Sequence, residues 1–272
     1  MTVAFLLPVL IPTLAFSPTT THNSPIKSYP HVQTIQKHRS PTIRTTTSPS
    51  THLHLFDLEK AFEEEGPLGK GITVGKLQIA LNVNALERTS KDSIFAILEE
   101  NARAGNDEDD DGFDDDYEDG YGDSHLSKMC HQVCLALLRK SDDWIAACSE
   151  SKWFKGGDYG KAESLYNQWA DREAAKFEKE YIPEEGSTLS EGKATVAVVS
   201  IILEIQGDET NFERAGFSIA ETKSVLTSIA SDCRVEGGDC LNGFEVFWTP
   251  SEPMEVLTER DTILDFPELI TM

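Results

Sequence analysis

Residues 194–205, ATVAVVSIILEI, form a nearly unbroken run of β-branched and aliphatic side chains. A membrane-spanning helix needs about 20 apolar residues, so this run is too short to cross a bilayer. A continuous apolar stretch of this length suits a central strand instead. The chain must therefore build a sheet around it. No longer apolar run follows residue 16, so no transmembrane segment is expected in the mature chain.

Other elements follow from periodicity. Residues 77–83, LQIALNV, alternate, with Leu77, Ile79, Leu81 and Val83 on one face of a half-buried strand. Residues 92–104 read as a helix capped by Asp92. From Ser124 onwards, Leu126, Met129, Cys130, Val133, Cys134 and Leu137 fall at three and four spacing, which predicts a helix with both cysteines inward. A further helix runs from Asp158 to about Tyr181 and stops before Pro183. Ser218 and Glu221 spell a capping box opening a helix to Ala230, and residues 243–248, GFEVFW, read as a last strand. The expected class is α+β, a small sheet of about three to four strands packed with four to five helices and covered on one side.

Charge divides the chain unevenly. All 47 acidic residues follow residue 56, and the formal net charge is −23. Such a surface repels phosphate backbones and anionic lipid, which argues against nucleic acid and favours basic partners. The acid-free start reads as a two-step address. Residues 1–15 carry a short apolar core ending in Thr13-Leu14-Ala15, as a signal peptide does, and residues 16–56 have the Ser-, Thr- and Pro-rich composition of a transit peptide. The junction Ala15-Phe16-Ser17-Pro18 resembles the cleavage motif of algae with secondary plastids, which implies plastid import, to the stroma or to a thylakoid or envelope surface. Residues 57–75 then read as a linker and 76–270 as the folded domain.

Few residues suit proton transfer, since only His125 and His131 remain after residue 56 and both sit on one predicted helix. Cys130 and Cys134 share a face there without a second ligand pair at finger-like spacing, so they read as core thiols. Cys233 and Cys240 flank a short Gly-containing loop and are read as free thiols, with a small disulfide ring as the alternative. No phosphate loop, dinucleotide fingerprint or nucleophile elbow occurs. The expectation is a protein that is not an enzyme and uses no cofactor.

Residues 106–124, NDEDDDGFDDDYEDGYGDS, hold eleven acids. Asp107, Asp109, Asp111, Gly112 and Glu118 occupy calcium-loop positions one, three, five, six and twelve. Against a specific site, Asp114 stands where paired loops place an apolar residue, and Gly120 and Gly122 weaken the exit helix. The favoured reading of residues 105–123 is a solvated acidic insert attracting divalent cations weakly. A calcium-responsive sensor is the alternative.

Four stretches carry a resemblance: residues 76–81, KLQIAL; 135–144, LALLRKSDDW; 162–177, AESLYNQWADREAAKF; and 245–250, EVFWTP, followed by Asp265-Phe266-Pro267-Glu268-Leu269. In this order they resemble the DUF1517 family of cyanobacterial and plastid proteins, whose third motif reads AE..FN.LS..ER.KF. The family includes plant fluctuating-light acclimation proteins of thylakoid and envelope membranes, which influence the proton gradient and non-photochemical quenching. The resemblance implies a regulatory or assembly role through protein partners at or near those membranes, and it supplies no catalytic residues. Arg139, Asp143, Trp144, Trp248 and Pro250 are the motif residues taken as contact candidates. Their structural alternatives are core packing for both tryptophans and a helix C-terminal cation for Arg139.

Overall fold

A computed structural model describes residues 65–104, 124–177, 181, 195–252 and 255–272, with the backbone of 33–36. The expected signal peptide, the rest of the expected transit peptide and the acidic insert lie outside the described residues. In chain order the elements are β1 (Gln33–Gln36), β2 (Ile72–Val83), α1 (Ala85–Arg88), α2 (Ile94–Ala104), α3 (His125–Arg139), β3 (Trp144–Phe154), α4 (Tyr159–Phe177), β4 (Thr195–Gln206), α5 (Ile219–Asp232), β5 (Leu241–Thr249), α6 (Glu259–Asp265) and β6 (Ile270–Thr271).

The strands join one antiparallel sheet in the order β1-β5-β4-β2-β3-β6. Its body is the four long strands β5, β4, β2 and β3, and the short β1 and β6 extend its edges. The aliphatic run is central as expected, with β4 paired along its length to β2 on one side and β5 on the other. Because β3 and β4 both run antiparallel to β2, they are mutually parallel, and α4 crosses over β2 to connect them.

Two features differ from the sequence reading. The sheet is covered on both faces rather than one, and β2 is buried on both faces rather than half-buried. Residues 144–154, assigned no strand from their pattern, form β3, whose outer half carries Ser149, Glu150, Ser151 and Lys152 and so lacks an apolar signature.

One face is predominantly apolar. Leu77, Ile79, Leu81 and Val83 of β2, Val199, Ile201, Leu203 and Ile205 of β4, and Phe244, Val246 and Trp248 of β5 pack there against α2, α3 and α5. Helix α3 begins at the predicted Ser124 cap, whose side chain accepts from Ser127 N. For α2 the cap is Ser93, not Asp92, since Ser93 Oγ accepts from Ala96 N. Only half of the expected box forms at α5: Ser218 Oγ accepts from Glu221 N, while the Glu221 carboxylate pairs with Arg214 at 3.1 Å.

The opposite face receives α4, with Phe266 and Leu257 beyond it. Ala162, Tyr166, Trp169, Ala170, Glu173 and Phe177 of α4 are buried, the three-and-four spacing of a helix resting on a sheet. Gly243 leaves room for the Tyr166 ring, because a Cβ there would lie 2.9 Å from Tyr166 Cζ. At the end of β4, Gly207 takes φ 94° where a Cβ would meet Leu68 O at 1.8 Å, so only glycine fits that turn.

Candidate functional site

The face under α4 carries a line of polar side chains with no counterpart on the other. Alternation along the strands sends Lys76 and Gln78 of β2, Cys148 of β3, and Ser200 and Glu204 of β4 to this face. Gln78 lies between Cys148 and Ser200 in the register, so three polar residues form one row across the sheet. Glu173 of α4 descends onto them and is 0% exposed.

Four donors saturate its carboxylate. Gln78 Nε2 donates to Oε2 at 2.6 Å and Ser200 Oγ to the same oxygen at 3.3 Å. Oε1 receives Lys76 Nζ at 3.4 Å and Lys176 Nζ at 3.2 Å. Lys176 continues outward to the Glu268 carboxylate, and Lys76 reaches Glu150 at 3.9 Å. The result is an alternating chain of charges running from solvent through the interior and out again. A buried carboxylate is tolerable only when paired and hydrogen-bonded in this way, since its desolvation otherwise costs several kcal/mol.

Titration follows from these contacts. Burial would push the Glu268 carboxyl up, but the hydrogen bond and charge of Lys176 prevail and hold it below its ordinary value. Burial would likewise lower Lys176, and Glu268 together with Glu173 raises it. Cys148 donates to Gln78 Oε1 at 3.3 Å, and burial pushes its thiol up to about 12 despite Lys76, so it is a neutral donor rather than a nucleophile.

A second polar group lies further along α4. Glu204 accepts from Asn242 Nδ2 at 3.1 Å and is buried. Burial raises its carboxyl to about 7, the Asn242 hydrogen bond opposes this, and Glu163 adds to it. Burial, then the Glu245 carboxylate, push the Tyr166 phenol well up.

The contact candidates scatter. Trp144 and Trp248 are buried on the apolar face, as core packing requires, with Trp144 Nε1 lacking a hydrogen-bond partner among the described residues. Arg139 is exposed in the last turn of α3, and Asp143 is half-buried in the short turn before β3. Pro250 is buried after a cis peptide bond and borders a separate cavity beside Arg88. Asp107, Asp109, Asp111 and Glu118 lie outside the described residues, and the described residues contain no group of three His, Cys, Asp or Glu able to hold a metal ion. All five cysteines are free and buried, so Cys233 and Cys240 are not joined. Cys130 packs against Cys134 and Cys233, and burial, reinforced by those two thiols, pushes it far above its ordinary value.

Sequence reasoning missed Glu173 as a site residue, although its phase with Ala162, Tyr166, Trp169, Ala170 and Phe177 was a usable signal. Lys76 and Gln78 come from the first resembling stretch, Glu173 and Lys176 from the third, and Glu268 from the last, so stretches far apart in sequence converge on this network.

The family model described as "Protein of unknown function (DUF1517)" matches residues 71–272. The chain belongs to the DUF1517 family. Within the curated proteins, "Protein FLAP1 homolog A" of Synechocystis sp. (strain ATCC 27184 / PCC 6803 / Kazusa) is 28% identical over 162 residues, covering 53% of this chain and 45% of the relative. The match thus spans less than half the length of that relative. No solved structure is significantly similar.

Proposed function

We propose that this DUF1517 protein serves photosynthetic acclimation to fluctuating light in the plastid, as a regulatory or assembly protein that works by protein contact rather than turnover. The observation that carries this reading is the similarity to a cyanobacterial protein named as a FLAP1 homolog, together with family membership. The chemistry of the network agrees with it. Glu173 has all its acceptor capacity engaged by Gln78, Ser200, Lys76 and Lys176, an arrangement that holds a helix in place rather than moving a proton.

A contact surface is available at the β6 edge. Phe217 is 69% exposed, Ile219 and Ile270 are also exposed, and the intervening turn abuts Ile270 through Gly216. The Arg214 guanidinium lies 5.7 Å from the Phe217 ring centroid. Exposed apolar side chains edged by charge mark a protein-contact surface. Among the described residues no helix is long and apolar enough to cross a membrane, so attachment there is proposed to be peripheral.

The test is deletion of the gene in its native host, followed by complementation with the wild-type chain or with Phe217→Asp/Ile270→Asp. Chlorophyll-fluorescence quenching is followed under alternating and constant light. The deletion is expected to alter quenching under alternating light only, with the wild type restoring it and the double variant failing to. Unaltered quenching in the deletion, or turnover of a small metabolite by the purified protein, would overturn the reading.

A further inference from the structure

A cavity of about 260 Å³ opens at the junction of α1, the start of α2 and the segment after β5, bordered by Arg88, Ser90, Ser93, Phe95, Pro250 and Glu252 among others. Arg88 is only 6% exposed. Its guanidinium is held from two directions: Nη2 donates to Glu252 O at 2.7 Å, and the ring centroid of Phe95 lies 5.7 Å from Cζ. The remaining terminal nitrogen, Nη1, is buried without a hydrogen-bond partner among the described residues. Leaving a charged donor unsatisfied in the interior is costly, and a fixed guanidinium is a fork for an oxyanion.

The surroundings supply the rest of such a site. Helix α2, 11 residues long, starts at this cavity, so its positive dipole end faces the same space. Thr89 and Ser90 bring hydroxyls to the border. The nearby Glu255 carboxylate is engaged by the backbone amides of Tyr181, Ser251 and Glu252, which absorbs much of its demand for donors. Burial lowers Arg88 from the ordinary guanidinium value, and the Glu255 charge opposes that, leaving the side chain a cation at any physiological pH.

We propose that this cavity is a binding site for a small oxyanion, inorganic phosphate or a compact phosphate monoester, with the Arg88 guanidinium as the principal donor and the N-terminus of α2 as the second. Glu99 and Glu252 at its border disfavour bulky polyanions and make the affinity moderate. The site is separate from the Glu173 network and from the exposed Phe217 surface.

The full chain is titrated calorimetrically with inorganic phosphate and with glycerol 3-phosphate, against chloride at equal ionic strength, and its thermal midpoint is followed in parallel. Saturable one-to-one binding with a phosphate-specific rise in midpoint is expected. Arg88→Gln should weaken binding at least tenfold. Since Arg88→Gln also loses the tie to Glu252 O and is liable to misfold, Thr89→Glu provides the second arm: Thr89 is exposed, and a carboxylate there should weaken phosphate severalfold with the chloride midpoint unchanged. Absence of saturable binding of either probe to the wild type would overturn the proposal. So would affinity unaltered in a folded Arg88→Gln or in Thr89→Glu.

Discussion

The two faces of the sheet solve the same burial problem with different chemistry. Toward α2, α3 and α5, the strands present mostly aliphatic and aromatic side chains, with no charged group among them, and docking there rests chiefly on area removed from water. Toward α4, Lys76, Gln78, Ser200 and Glu204 interrupt the apolar surface, and Glu173 binds the first three. An apolar face is forgiving, because most hydrophobic substitutions of similar volume repack. A charged centre is not, because each member is tolerable only while the others are present.

Removing Glu173 tests this difference most severely. Glu173→Gln leaves Lys76 and Lys176 facing a neutral group, and about 3–5 kcal/mol of stability should be lost in urea denaturation. Ile201→Ala on the apolar face should lose a comparable 2–5 kcal/mol through its cavity. The faces separate in the rescue. Lys76→Met with Glu173→Leu should recover part of the loss, since an apolar pair replaces the ion pair while Gln78 Nε2 and Ser200 Oγ still lose their acceptor, whereas truncating a neighbour only enlarges the cavity of Ile201→Ala. A double variant as unstable as Glu173→Gln would remove the distinction.

Glu204 should give a smaller effect of opposite dependence. Its folded carboxyl titrates near 7 against an ordinary 4.5, so the folded state binds the proton more tightly and stability falls as pH rises from about 4.5 through 7. Glu204→Gln should abolish that slope and make the protein roughly 1–3 kcal/mol more stable at pH 8, while changing little at pH 4.5. Thermal midpoints across pH 4.5–8 measure it, and parallel profiles for variant and wild type would contradict the assignment.

The outer pair Lys176–Glu268 should matter least. Both side chains are partly exposed, at 25% and 29%, so Glu268→Gln should cost about 0–1 kcal/mol at pH 7. The Glu268 carboxyl is depressed, so its contribution is present above about 4.5 and disappears as acidity carries pH down through the folded value. A variant whose deficit persists at pH 3 would show that packing, not charge, is lost.

The contrast also explains what could be read from residues alone. Leu77, Ile79, Leu81 and Val83 alternate so cleanly that β2 and its apolar face were legible, as were β4 and the inward side of α3. Lys76, Gln78 and Glu173 were not, because a charged side chain at a core-facing position looks like one at a solvated position until its partners are brought beside it. Those partners lie 97 and 95 residues away along the chain. Strand β3 escaped for a related reason: its polar outer half spans an exposed stretch, so burial changes partway along one element. Arg88 gave no signal, since it sits on a single-turn helix defined chiefly by the Asn84 cap.

The saturated carboxylate on α4 also works as a positional detent. A helix resting on methyl groups alone can be displaced by one turn, about 5.4 Å, and find other methyl groups to touch. Displacing this one would set a negative charge among hydrocarbons and strand two ammonium groups behind it. The crossover between β3 and β4 is thereby indexed to a single seat, and any partner that pulls on α4 must act on the domain as a whole.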